Sequence, residues 1–164
     1  RVLALEHEDI VDIAILRAGR RVATLSTEGV VRLWGVTSGA SLCVLQEAMP
    51  MGFAQVQGVE SCHQGEVLAA RNPMGVVTWN ANSCQELRWF STWPRRTESM
   101  ALSSGADLLL TCGAGRSIVW DMEAGAKSRV FDEALDVPFW DHHPGCLVAV
   151  GIGGAANPHG FGRG

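Results

Sequence analysis

Residues 7–34 read HEDIVDIAILRAGRRVATLSTEGVVRLW, and the fold is decided by how this stretch is read. Val11, Ile13 and Ile15 alternate with other residues before a break at Ala18-Gly19-Arg20. A second run, Val22-Ala23-Thr24-Leu25-Ser26, ends at Thr27-Glu28-Gly29, and a third, Val30-Val31-Arg32-Leu33, ends on Trp34. Short β-branched runs separated by glycine-containing breaks predict strands joined as hairpins.

The same phrase returns twice. From Gly65 the chain reads GEVLAARNPMGVVTWN, and from Gly105 it reads GADLLLTCGAGRSIVWD; each is strand, turn, strand, with the second strand ending on Trp79 or Trp120. Trp34 and Trp79 are 45 residues apart, and Trp79 and Trp120 are 41 apart. A repeat of about 40–45 residues is the length of one four-stranded propeller blade. A fourth copy begins with Val137-Pro138-Phe139-Trp140 and continues with Cys146-Leu147-Val148-Ala149-Val150. Its Trp140-Asp141 lies on the opening strand, away from the position where the other repeats end on Trp.

These residues resemble the WD-repeat β-propeller family over nearly the whole chain. His7, Ser26 and Trp34 are similar to the family's blade-stapling hydrogen-bond network, with Glu28 where an Asp is usual and Gly35 where Asp follows Trp. The second copy has Trp79-Asn80, and the third has Trp120-Asp121 but Ala114 or Gly115 at the acidic turn position and no preceding His. The resemblance therefore implies an all-β propeller of four-stranded antiparallel blades whose staple is complete only in the first. It also implies outer strands at Val2-Leu3-Ala4-Leu5, Leu42-Cys43-Val44-Leu45, Glu86-Leu87-Arg88-Trp89 and Ser128-Arg129-Val130-Phe131. The expected repeats cover approximately 1–35, 41–80, 85–121 and 127–152, with 153–164 a Gly-rich loop or tail. Three and a half blades fall short of the roughly 4–8 that close a propeller. The expectation is an incomplete ring finished by blades outside this chain, which opens on Arg1 like the interior of a longer polypeptide.

Composition narrows the function. Lys plus Arg total 13 against 17 for Asp plus Glu, a net charge of −4 that argues against nucleic acid and against a polybasic membrane anchor. Hydrophobic residues are 47% and charged residues 18% of the 164, which excludes disorder as the ground state. No apolar run approaches the roughly 18 residues of a spanning helix, so the positive mean hydropathy of +0.12 points to a large core. The 19 glycines and 6 tryptophans beside no tyrosine are accounted for by hairpin turns and a recurring Trp position.

The five cysteines, Cys43, Cys62, Cys84, Cys112 and Cys146, are widely spaced and form no C-x-x-C pair. They are expected as reduced core residues of an intracellular protein, cytoplasmic or nuclear, with no disulfide framework or zinc finger. His63 beside Cys62 and the pair His142-His143 lack a third ligand at metal spacing, so no metal is expected. Gly151-Ile152-Gly153-Gly154-Ala155-Ala156 matches a dinucleotide-binding G-x-G-x-x-A, but Asn157-Pro158 cannot continue the helix that motif needs. Gly113-Ala114-Gly115-Arg116-Ser117 lacks the Lys of a phosphate loop, and no G-x-S-x-G marks a nucleophile. No cofactor and no catalytic residue is assigned.

The surface candidate is Trp89-Phe90-Ser91-Thr92-Trp93-Pro94-Arg95-Arg96, on an outer strand and the loop that follows. Arg and Trp dominate binding hot spots, and paired arginines in an acidic chain suit an acidic or phosphorylated peptide. The plainer alternative has Trp89 packed between blades and Trp93 covering a blade edge. Trp93, Arg95, Arg96 and Arg116 are the partner-binding candidates, with Glu8 and Asp9 (beside Glu6) as an acidic counterpart on the equivalent loop of the first blade. The resemblance implies a non-catalytic scaffold for protein complexes. The alternatives are a sensor propeller attached to a larger signalling ATPase or ubiquitin-ligase adaptor and, remotely, a dinucleotide enzyme resting on Gly151-Ile152-Gly153.

Overall fold

The computed structural model describes residues 9–16, 19–47, 56–62, 66–92 and 96–132, together with the backbone of 135–140, 146–151 and 159–160. Three four-stranded antiparallel sheets follow one another, each with its strands in chain order. The first holds β1 (Ile10–Leu16), β2 (Arg21–Ser26), β3 (Val31–Gly35) and β4 (Ser41–Gln46). The second holds β5 (Gly58–Ser61), β6 (Val67–Asn72), β7 (Gly75–Asn80) and β8 (Gln85–Ser91), and the third β9 (Ser99–Leu102), β10 (Leu108–Gly113), β11 (Arg116–Asp121) and β12 (Ala126–Phe131). A fourth sheet pairs β13 (Leu135–Trp140), β14 (Cys146–Gly151) and a short β15 (His159–Gly160), so part of the segment expected as a glycine-rich tail is a strand. The architecture is that of propeller blades, and the ring is not closed.

Register makes the repeats superimposable. Trp34 pairs with Val22, Trp79 with Leu68 and Trp120 with Leu109, each on the third strand of its blade opposite the second. The turns follow from local chemistry. Ala114 (φ 50°) and Gly115 (φ 74°) join β10 to β11 with both residues left-handed, the type I′ geometry that matches strand twist. In the β6–β7 turn the Asn72 Oδ1 accepts the N–H groups of Met74 at 2.8 Å and Gly75 at 3.1 Å.

Alternation along each strand then decides what packs where. Ala14, Leu16, Leu25, Val31 and Leu33 of the first blade meet Val59, Leu68, Val77 and Trp79 of the second. Cys62, Ala69, Val76 and Phe90 of the second meet Met100, Leu102, Leu109, Ile118 and Trp120 of the third, with the Phe90 and Trp120 rings edge to face at 5.6 Å. Burying each such side chain contributes about 1.5–3 kcal/mol, so the seams between blades supply most of the stability. On β1 the alternation leaves the opposite face open: Ala14 is 7% exposed, whereas Val11, Ile13 and Ile15 are 56%, 57% and 64% exposed.

β1, β5 and β9 lie side by side as the innermost strands. Each pairs through only one edge within its own sheet, which leaves backbone N–H groups to be satisfied from a neighbouring blade. Asp12 Oδ2 accepts the Val59 N–H at 2.9 Å, and Glu60 Oε1 accepts the Leu102 N–H at 3.2 Å. Ser61 Oγ donates back to the Ile15 carbonyl at 2.7 Å.

Candidate functional site

The repeating tryptophans come first, because they set the blade ends from which the loops project. Trp34 Nε1 donates to Thr24 Oγ1 at 2.9 Å, and Trp120 Nε1 donates to Thr111 Oγ1 at 2.8 Å. Thr24 and Thr111 lie two residues beyond the Trp partner on the second strand, where the second blade has Ala70 and no hydroxyl. The indole's partner in the first blade is thus Thr24, not the expected Ser26. Ser26 Oγ instead accepts the Val30 N–H at 3.2 Å and shapes the β2–β3 turn. Two residues apart on a strand share a face, and the register selects Thr24. Glu28 is exposed on that same turn, and His7 lies outside the described residues. The residue after each Trp works in the third-to-fourth strand turn: Asp121 Oδ1 accepts the Ala124 N–H at 2.7 Å, and Asn80 Oδ1 accepts those of Asn82 and Ser83 at 2.8 and 3.0 Å. Arg32 stands 5.7 Å over the Trp34 ring and Lys127 Nζ 5.3 Å over the Trp120 ring.

Where the second and third blades meet, the β8–β9 connection and the β10–β11 turn enclose a pocket. It is lined by Thr92, Arg96, Thr97, Thr111, Cys112, Gly113, Arg116 and Ile118, which places Arg96 and Arg116 on one concavity although twenty residues separate them. The connection is clamped on both sides. Thr92 N–H donates to Met74 O at 2.9 Å, Thr97 N–H to Pro73 O at 3.2 Å and Glu98 N–H to Cys112 O at 2.8 Å. The buried Thr92 and Thr97 hydroxyls bond each other at 2.7 Å. Gly113 is required by this closeness, because a Cβ there would collide with the Arg96 carbonyl and the Glu98 nitrogen.

The two arginines differ in their occupancy. Arg116 is paired with Asp132, Nε to Oδ1 at 2.7 Å and Nη2 to Oδ1 at 2.5 Å, and the Asp132 side chain is 80% exposed. Arg96 is exposed and has no ion-pair partner among the described residues. A half-exposed guanidinium paired with an exposed carboxylate, beside one with no ion-pair partner among the described residues, is an arrangement suited to anions.

Other sequence candidates fall elsewhere or outside the described residues. Trp93, Arg95 and Glu8 lie outside them, and Asp9 is exposed at the same end of the blades, its carbonyl accepting the Thr27 N–H at 2.8 Å. Trp89 does not pack between blades. It is 44% exposed on β8, and its neighbour Phe90, 1% exposed, fills the seam, because adjacent strand residues face opposite ways. Gly151 ends β14 opposite Leu135, while Ile152, Gly153, His63 and His142-His143 lie outside the described residues. Among the described residues no group of three His, Cys, Asp or Glu side chains is placed to hold a metal, and no helix is long and apolar enough to cross a membrane.

The cysteines correct the expectation most sharply. Cys62 and Cys112 are buried thiols, but Cys43 and Cys84 form a disulfide across the seam between the first and second blades. Cys43 lies on β4 and Cys84 in the β7–β8 turn, 41 residues apart, so the bond joins the fourth strand of one blade to the third-to-fourth strand turn of the next. Nothing in the spacing within a single blade signals this pair.

At the inner strands, Glu60 is the one strongly shifted acid among the described residues. Burial pushes its carboxyl up to about 7, opposed by the Leu102 N–H and reinforced by the nearby Asp12 carboxylate. Burial lowers the Arg71 guanidinium, and Asp12 counteracts it. Both Arg71 and Asp12 lie over Gly58, where a Cβ would stand 3.1 Å from Arg71 Nε and 3.4 Å from Asp12 Oδ2.

No sequence-family profile matches the chain, and no curated protein matches it by sequence. By structure it is similar to U3-55K, a WD40 β-propeller protein, with a TM-score of 0.73 at 19% identity. The match covers 92% of this chain and 48% of that one, so the chain spans about half the length of this neighbour. At that identity the likeness establishes the β-propeller fold.

Proposed function

We propose that the chain is part of a non-catalytic β-propeller scaffold that docks an acidic or phosphorylated peptide of a partner protein at the end of its second and third blades. The observation that supports this reading is the joint placement of Arg96 and Arg116 on one pocket whose β8–β9 margin is clamped to two turns. A rigid margin lowers the ordering cost of binding, and two guanidinium groups supply charge-assisted, bidentate recognition. Trp93 and Arg95, which precede Arg96 in the sequence, are included in the proposed docking segment. Asp9, with Glu8 before it in the sequence, would meet a basic part of the same partner. The open face carrying Val11, Ile13 and Ile15 favours further blades outside this chain that complete the ring, and the reading places the protein inside the cell, in cytoplasm or nucleus.

The test is fluorescence anisotropy with a labelled peptide carrying one phosphoserine among aspartates, compared with its serine-and-asparagine counterpart. Arg96→Glu should weaken the acidic peptide by about tenfold or more, roughly 1.4 kcal/mol, and leave the thermal midpoint unchanged. Equal affinity of the wild type for both peptides contradicts the proposal.

A further inference from the structure

The turns between the third and fourth strands of the three blades are built alike. The N–H of Gly39 donates to Gly35 O at 2.8 Å, that of Cys84 to Asn80 O at 2.8 Å, and that of Gly125 to Asp121 O at 2.9 Å. All three residues are left-handed, with φ of 74° at Gly39, 59° at Cys84 and 68° at Gly125. Left-handed backbone favours glycine, which two of the blades use, and disfavours a side chain such as cysteine. Cys84 therefore occupies a position whose backbone argues against it, and its side chain needs another reason to be there.

The facing position supplies that reason. Cys43 pairs with Leu33, the residue before Trp34, and the same place on β8 is held by Arg88, which pairs with Thr78 before Trp79. At the seam between the second and third blades, Arg88 reaches over Gly125 and latches the next blade through Nε to Met122 O at 3.1 Å and Nη2 to Glu123 O at 2.6 Å. A Cβ on Gly125 would stand 2.6 Å from Arg88 Nη1, so glycine there makes room for the arginine. At the seam between the first and second blades the same pair of positions is Cys43 and Cys84, with Cα atoms 6.6 Å apart and both residues half-buried at the rim. Each of these two seams thus has a rim latch, hydrogen-bonded in one and sulfur-bonded in the other.

We propose that Cys43 and Cys84 are a redox-governed latch between the first two blades, closed covalently by oxidation and opened by reduction. Both residues are partly exposed, as thiol–disulfide exchange requires, whereas Cys62 and Cys112 are buried. With a glutathione-type disulfide as oxidant, one cysteine thiolate attacks a glutathione sulfur and releases a glutathione thiolate. The second cysteine thiolate then attacks the mixed disulfide, forms the Cys43–Cys84 bond and releases the other glutathione. The two protons lost by the cysteines go to the two released thiolates. Excess glutathione thiol runs the sequence backwards. In the reduced form the seam rests on the packing of Leu33, Val31 and Cys43 against Val77 and Trp79. This inference stands apart from the docking proposal, which concerns the next seam.

The test uses the 164-residue chain equilibrated in oxidised or reduced glutathione, trapped with iodoacetamide under native conditions and mapped by peptide mass. In the oxidised buffer Cys43 and Cys84 should appear in one cross-linked peptide pair. In the reduced buffer both should be alkylated, while Cys62 and Cys112 label only after denaturation. Reduction should lower the thermal midpoint of the wild type and leave those of Cys43→Ser and Cys84→Gly unmoved; the glycine variant suits the turn and keeps the comparison open if the serine variant folds poorly. Full alkylation of Cys43 and Cys84 in oxidised buffer, a cross-link of either to another cysteine, or a midpoint indifferent to reduction in the wild type overturns the proposal.

Discussion

The Asp12 carboxylate accepts the backbone N–H of Val59 at 2.9 Å, so an acid on the innermost strand of one blade satisfies the open edge of the next. Glu60 repeats the device for Leu102 at 3.2 Å, one blade further on. An innermost strand has no partner on its channel side, and a buried N–H left unpaired there costs about 1–3 kcal/mol. Acidic side chains projecting sideways from β1 and β5 remove that cost while joining consecutive blades.

Glu60 makes the second of these clasps pH-dependent. Its carboxyl is held up to about 7 in the folded chain, above its usual value near 4.5. The folded state therefore binds the proton more tightly than the unfolded one, and the contribution is fully present below pH about 4.5 and lost as the pH rises through 7. The charged group that acts on it is Asp12 on β1, and β9, the strand its carboxylate reaches, has no titratable side chain. Chemical denaturation of Glu60→Gln against wild type should give equal stability near pH 4 and a variant more stable by about 2 kcal/mol at pH 8, discounted from about 3 because the side chain is partly exposed. A difference that does not change with pH sinks this account of Glu60.

Thr111 should matter through its oxygen. Replacing it with valine keeps the shape, removes the acceptor of the buried Trp120 N–H at 2.8 Å and should cost about 1–3 kcal/mol. Thr24→Val should behave alike for Trp34, and urea titration of both variants measures it. Costs below about 0.5 kcal/mol in both would show that these indoles hold the blades by packing alone.

Cys84→Gly separates backbone strain from the latch. Under reducing conditions the variant should be more stable than wild type by about 1 kcal/mol, because glycine adopts the left-handed turn without penalty. Under oxidising conditions it should be less stable by about 3 kcal/mol, since closing a loop of this length contributes about 4. Thermal or denaturant unfolding in the two buffers reads out the change of sign.

Asp132 competes with any anion that approaches Arg116. Asp132→Asn should raise affinity for the acidic peptide by about threefold or more, yet change stability by less than about 0.5 kcal/mol, because an ion pair with an 80% exposed carboxylate contributes little. Calorimetric titration and a thermal scan of one preparation give both values. Reduced affinity in the variant would mean that Asp132 positions Arg116 for binding.

What the chain reveals before its structure depends on how far apart the interacting residues are. Trp34, Trp79 and Trp120 mark the third strand of each blade, so strand runs and turns are legible from local alternation alone. The hydroxyl partner of Trp34 is less so: Thr24 and Ser26 share a face, and only pairing with β3 distinguishes them. Trp89 and Phe90 are adjacent, and the choice of which enters the seam depends on a register irregularity between Thr78 and Trp79. Arg96 and Arg116 are each conspicuous in an acidic chain, but their shared pocket arises from the clamped β8–β9 connection. Cys43 with Cys84, Asp12 with Val59 and Glu60 with Leu102 all join different blades, and no local pattern anticipates them.

The most direct test of the docking proposal is an amide chemical-shift titration of the isotopically labelled chain with the phosphoserine-aspartate peptide. Saturable shifts at Thr97, Glu98, Gly113 and Arg116, with Gly39 and Gly125 at the opposite blade ends unmoved, are the predicted result. Saturable binding that moves Gly39 and Gly125 while leaving Gly113 and Arg116 in place, or no shifts at peptide concentrations of about 1 mM, where even a weak complex of about 4 kcal/mol is half-formed, would contradict it.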